Sequence, residues 1–371
     1  MRAATRDRIA MASSLVHVFV GSINRTGESI VPGQGIAVLT FDEETRVFTP
    51  VTVADDIDNP TFLEVDAKTA RVYAVSEVVP WHECTVSAYA FDKAAGTLTY
   101  LNKQPTLGRT TCHVTVTRDG HLAIANYSEG TGGPDQAVAV YALDSEGRVG
   151  TPLASAAHFG TLGPRADRQE RSHAHSVQQT PDGRYYLVAD LGTDELVAYR
   201  LVSGELTRAF AYDATPGAGP RHFVFHANGK LVYVANEIAA TVTVLAYDGG
   251  SLTRLQELSM LPEGFTEQTW AADIHLSPDG RFLYASNRVH DSIATFSVAA
   301  DGTLAFLGTI PSGGRWPRSF SITPSGRHLL VANQHSDSIV VFARDAETGA
   351  LTQVGDALTI GKPLRVQAVA L

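Results

Sequence analysis

Cysteine is nearly missing from this chain, with only Cys84 and Cys112 among 371 residues. Two thiols cannot build a disulfide framework and lack metal-site spacing, so both are expected reduced, in a cytoplasmic protein. Positive charge is also short. Lys and Arg number 29 against 39 Asp and Glu, for a net charge of −10. No Lys/Arg-rich run interrupts that balance, which argues against nucleic acid as a partner. No apolar run approaches the ~18 residues of a membrane span. Residues 1–14 carry Arg2, Arg6 and Arg8 but no apolar stretch of the secretory kind. The expectation is a short disordered tail over 1–15, or a start at Met11, before one domain over 16–371. Helical 3.6-residue periodicity is almost absent as well, which removes the helical repeat folds.

What is present is one paragraph written repeatedly. Residues 219–237 read as an apolar strand, a two-residue turn at Asn228-Gly229, and a second apolar strand. The turn recurs at Thr180-Pro181-Asp182-Gly183, Ser277-Pro278-Asp279-Gly280 and Thr323-Pro324-Ser325-Gly326, and more loosely at Thr117-Arg118-Asp119-Gly120. The residue closing each second strand falls at Ser22, Ser76, Asn126, Asp190, Asn236, Asn287 and Asn333. That spacing suits four-stranded propeller blades and is too long for ankyrin or tetratricopeptide units. A third strand such as 293–296 follows, then a short fourth such as 303–306. The expected fold is all-β, a propeller of seven antiparallel blades.

The first blade, starting near Val16, lacks a first strand, and residues 363–369 resemble the missing piece. The two ends should share a blade and close the ring, removing its exposed edge. Two stretches break the period: 150–171 between blades three and four, and 78–84 in blade two. In repeat arrays such insertions map to loops on one face, often the binding face.

The hairpin also serves as a ruler. Eight residues before each turn glycine, or before its counterpart Thr69, stand Thr61, Cys112, His175, Arg221, Ala272 and Arg318. The residues following the closing markers are Glu77, Tyr127, Leu191, Glu237, Arg288 and Gln334. Both slots lie at the end of the hairpin away from the turn, roughly 25 Å from it at 3.3 Å per residue. Repetition around a ring brings every copy to one mouth of the central channel. A repeat serving structure alone should repeat its residues, whereas these slots gather one His, three Arg and two Glu. Solvated loop charges or a ring of ion pairs is the alternative, but His175, Arg221, Glu237 and Arg288 on three consecutive blades favour a site. His222, next to Arg221, is expected to point away from the channel by strand alternation.

The segments 168–175 (Arg-Gln-Glu-Arg-Ser-His-Ala-His), 219–222 (Gly-Pro-Arg-His) with Asn236-Glu237, and 270–280 resemble the seven-bladed propeller lactonases. That family includes bacterial 6-phosphogluconolactonases and is related to fungal carboxy-cis,cis-muconate cyclases. The resemblance spans essentially the whole chain after residue 15. It implies a catalytic group of His175, Arg221, Glu237 and Arg288, with His173, Glu170 and Gln169 as supporting substrate-binding residues. It also implies hydrolysis of an anionic sugar δ-lactone, most of all 6-phosphoglucono-1,5-lactone, by a monomer or weak homo-oligomer. Either His175 or Glu237 could take a proton from water if its environment suits. Arg221 and Arg288 would hold the oxyanion, and Arg318 a phosphate or carboxylate. This chemistry needs neither metal nor cofactor. Alternatives are a lactonase or lactonising cyclase for another sugar or muconate-type acid, and a non-catalytic interaction scaffold.

Overall fold

A computed structural model describes residues 15–25, 32–129 and 131–371. The expected tail over 1–15 falls outside the described residues except for Leu15, which already begins a strand. Seven small antiparallel sheets form the ring, in the order blade two 60–105, blade three 111–156, blade four 174–213, blade five 220–259, blade six 270–311 and blade seven 317–359. Blade one combines Leu15–Ser22, Ile36–Asp42 and Val47–Ala54 with the C-terminal strand Pro363–Val369 as its innermost member. The shared closing blade is therefore present as read from the sequence.

Burial explains the strand composition. In blade five the second strand, Leu231–Asn236, is buried at every residue because both its faces meet neighbouring blades. Its outermost strand, Leu252–Ser259, is largely exposed. The core is accordingly divided between blades rather than gathered at one centre. Tyr233, Val242 and Val244 of blade five pack with Ile274, Leu283 and Phe296 of blade six. Val18, Val20 and Leu39 of blade one pack with Leu330, Ile339 and Val341 of blade seven, sealing the ring. Each such side chain contributes about 1.5–3 kcal/mol of hydrophobic stabilisation.

Three sequence readings need correction. The turn at Asn228-Gly229 is not a two-residue turn. The His226 N–H bonds the Leu231 carbonyl and the Gly229 N–H bonds the His226 carbonyl, so the loop covers 226–230. The same pair of bonds recurs at Thr180, Ser277 and Thr323, and one residue shorter at Thr117. Gly229 sits at φ 68° in the left-handed region, which makes glycine the favoured residue there. The fourth strands are longer than expected, that of blade six running over Leu304–Pro311. Finally, the insertion after blade three is shorter than 150–171 at its start, because Val149–Ala156 is that blade's outer strand.

A feature of the inner strands sets up the channel. The inner strands of blades two to seven slip register against their neighbours near their starts: between Pro60 and Phe62, Thr111 and His113, Ala174 and Ser176, Pro220 and His222, Ala271 and Ile274, and Pro317 and Ser319. In five blades the unpaired residue is thus Thr61, Cys112, His175, Arg221 or Arg318. Blade six leaves both Ala272 and Asp273 unpaired. These are β-bulges, which bend the strand and re-aim a side chain.

Candidate active site

The ruler positions coincide with the bulges, so the ring carries re-aimed side chains at one level of the channel. Above them lies a cavity of about 290 Å³ lined by Glu77, Cys112, Tyr127, Glu129, Asp167, Arg168, Glu170, His173, His175, Glu237, Arg288 and Arg318. Residues from blades two to seven meet there. Six of the eight residues singled out by sequence line it: His175, Glu237, Arg288, Arg318, His173 and Glu170.

Glu237 is the electrostatic centre. Its Oε2 lies 2.8 Å from Arg221 Nε and 2.7 Å from Arg288 Nη2, while Arg168 Nη2 donates to Oε1. Burial alone would raise this carboxyl. The charges of Arg288, Arg221 and Arg168 outweigh burial and hold Glu237 far below the usual carboxylate range. An anion so stabilised is a poor proton acceptor at neutral pH. Its work is to fix three guanidinium groups.

His175 is the opposite case. Burial, reinforced by the charges of Arg221, His222 and Arg318, pushes its pKa well below that of a free histidine. The imidazole is therefore neutral, with Nδ1 3.6 Å from the Cys112 sulfur. The Cys112 thiol is itself pushed up, first by burial and then by the charge of Glu77, so it stays protonated and supplies no thiolate nucleophile. Tyr127 also remains neutral, its phenol pushed up to about 12 by burial and by Glu237. It stacks on His173 with ring centroids 4.1 Å apart. His173 Nδ1 donates to the Tyr127 carbonyl at 2.6 Å, and its Nε2 faces Glu170 at 3.2 Å.

Two expected site residues do not reach the cavity. Arg221 lies beneath it, only 2 % exposed, donating from Nη1 to the Ala272 carbonyl at 2.6 Å while Nε faces Glu237. It therefore shapes the field and positions Glu237 rather than holding an oxyanion directly. Gln169 is buried outside the cavity. Its Nε2 donates to the Leu191 carbonyl and its Oε1 accepts the Arg165 N–H, so the side chain anchors the insertion. His222 is corrected in the other direction. After a bulge, alternation restarts, and His222 faces the channel one level deeper, 5.4 Å from the His175 ring and 3.0 Å from Asp273 Oδ1. Burial and Arg221 push its pKa down to about 4.

The residue that sequence reasoning passed over is Arg168. It sits in the insertion, reaches Glu237 and the Tyr127 hydroxyl, and lies over the Trp270 ring at 4.6 Å. The available signal was its place in the quoted run beginning at Arg168. Glu77, Tyr127 and Cys112 occupied ruler slots and could have been taken from them. Among the described residues, no group of three or more His, Cys, Asp or Glu is placed to hold a metal ion. Nor is any helix there long and apolar enough to cross a membrane.

With this geometry in view, comparison with known proteins is direct. The family model described as "Lactonase, 7-bladed beta-propeller" matches residues 17–368. The chain belongs to the seven-bladed β-propeller lactonase family. It is 34% identical to the 6-phosphogluconolactonase of Bacillus subtilis (strain 168), over 94% of this chain and 97% of that protein. The 6-phosphogluconolactonase of Formosa agariphila is likewise 34% identical, over 92% of this chain and 96% of that one. Among solved structures, the periplasmic gluconolactonase of Pseudomonas aeruginosa superposes with a TM-score of 0.88 at 32% identity, covering 96% of this chain and 99% of that one.

Proposed function

We propose that the chain hydrolyses an anionic sugar δ-lactone, 6-phosphoglucono-1,5-lactone, to the open acid at the channel mouth. The observation that carries this is one cavity holding a buried, neutral His175 beside three guanidinium groups, Arg168, Arg288 and Arg318. His175 accepts a proton from water as that water adds to the lactone carbonyl carbon. Arg288 faces the oxygen on which negative charge collects, and its position is pinned by Glu237 and by the Ala271 carbonyl at 2.8 Å. The tetrahedral adduct collapses with cleavage of the bond between the carbonyl carbon and the ring oxygen. The ring oxygen leaves with the proton carried by His175, and the new carboxylic acid releases one proton to solvent. Arg318, 4.0 Å from Glu77, takes the phosphate or another anionic group. We place the reaction in the cytoplasm, where the buried, unpaired Cys84 and Cys112 remain thiols.

The Pseudomonas relative named a gluconolactonase favours a second reading, an unphosphorylated sugar lactone. Proton release after mixing with freshly made 6-phosphoglucono-δ-lactone and, separately, glucono-δ-lactone decides between them. The expected result is turnover well above spontaneous hydrolysis for the phosphorylated lactone, lost in His175→Ala. Equal turnover of both lactones would remove the phosphate assignment, and turnover of neither would remove the reaction.

A further inference from the structure

Three guanidinium groups share Glu237, yet they are not equivalent. Arg221 and Arg288 are rooted in blade strands and have side chains 2 % and 6 % exposed, whereas that of Arg168 is 24 % exposed. Arg168 is carried by the insertion between blades three and four, on a tight turn where the N–H groups of Arg168 and Gln169 both bond the Arg165 carbonyl. It can therefore leave Glu237 without breaking any sheet ladder, and Glu237 keeps two counter-charges when it does. Its contacts to Glu237 and to the Tyr127 hydroxyl both come from Nη2. A guanidinium offers five donors, so most of the fork is available for the oxygens of a phosphate or carboxylate.

The surrounding charges agree. Asp167, the neighbouring acid on the cavity wall, is occupied by Arg165, with Nε and Nη2 each 3.1 Å from its two oxygens. Glu170 is turned to His173, and Glu77 accepts the Thr61 hydroxyl while facing Arg318. Glu129 completes the acids that line the cavity. The indole of Trp270 holds the guanidinium plane from one side.

We infer that Arg168 is a specificity-determining arm, held on Glu237 in this structure, which turns to the phosphate or equivalent anionic group of the substrate opposite Arg318. This rests on the lactonase reading above and adds the residue that selects the phosphorylated substrate. It makes the insertion part of the substrate site rather than a tolerated surface loop.

Two readouts test it. In Arg168→Ala the ratio of kcat/KM for 6-phosphoglucono-δ-lactone to that for glucono-δ-lactone should fall about 10- to 100-fold, chiefly through KM for the phosphorylated substrate, as expected on losing a charged hydrogen-bonding partner. Arg168→Lys, which keeps the charge but not the fork, should recover part of it. An unchanged ratio, or an equal loss of kcat on both lactones, would overturn the inference. Independently, Trp270 emission should change when wild type is titrated with 6-phosphogluconate or inorganic phosphate, because the cation leaves its ring. The change should be absent in Arg168→Ala and in Trp270→Phe. No change in wild type, or one that survives in Arg168→Ala, overturns the arm. If wild type hydrolyses neither lactone, the reaction fails while this titration still decides the arginine.

Discussion

At the scale of single residues, the site turns on how burial and neighbouring charge divide the labour between two titratable groups. Glu237 and His175 were equal candidates for the base when only their positions were known. Arg288, Arg221 and Arg168 hold the carboxylate as an anion, whereas burial, with the charges of Arg221, His222 and Arg318, holds the imidazole neutral. A pH profile follows. A base that must be deprotonated, with its pKa depressed well below 6.5, is already competent at pH 6. Turnover under saturating lactone, after subtracting spontaneous hydrolysis, should therefore stay level from pH 8 down to 6. A fall through an apparent pKa near 6.5, followed by proton release in a pH-stat, would mean that another histidine or a solvated His175 does this work. The residue types and their convergence were legible from repeat arithmetic alone. Which of them reach the cavity was not, because counting along a strand cannot reveal a bulge. The slip at Pro220–His222 buries Arg221 under Glu237 and swings His222 into the channel. Alternation had predicted the reverse for His222.

At the scale of elements, the insertion of 157–173 is the part least readable in advance and the most consequential for the mouth. It has no period, and its interest lies in how it is tied down. His158 is buried between Asp190 and Glu195, with Nδ1 3.1 Å from Asp190 Oδ2 and Nε2 2.8 Å from Glu195 Oε2. Ser172 and the backbone of His173 add bonds to Asp190 at the other end of the segment. Burial would depress His158, but its hydrogen bonds to Asp190 and Glu195 prevail and lift it to about 9. The folded-state pKa lies above the unfolded value near 6.5. The stabilisation is therefore fully present below pH 6.5 and is lost as pH rises through about 9. Its size is on the order of 3 kcal/mol, since each pKa unit is worth about 1.4 kcal/mol. Wild type should accordingly lose stability relative to His158→Gln between pH 6.5 and 9 in denaturant unfolding at stepped pH. A constant difference across that window would mean that the histidine is not the charged clamp of the insertion.

At the scale of the whole molecule, the seven-bladed ring was legible because its signals are local and repeated. A Gly-containing turn recurs with nearly the same hydrogen bonds, and a strand missing at one end of the chain is supplied by the other. The closing strand does more than cover an edge. Val366 and Ala368 join the core shared by blades one and seven. Gln367 Oε1 accepts the Val65 N–H of blade two, and Arg365 donates to the Leu63 carbonyl and faces Asp273 of blade six across the channel. Cores are divided between blades, so removing this strand strips a partner from two interfaces at once and leaves the edge of Leu15–Ser22 unpaired. A chain ending at Lys362 should therefore lose both the sharp unfolding transition and the lactone turnover. The distant site would be lost too, because the bulged residues share one channel level only while the ring is closed. Adding a peptide of residues 360–371 should restore part of both, since the missing element is one strand with a preformed slot. A truncated chain that kept the wild-type melting temperature would show that six blades and three strands suffice to hold the ring, and that the shared blade matters for solubility rather than stability.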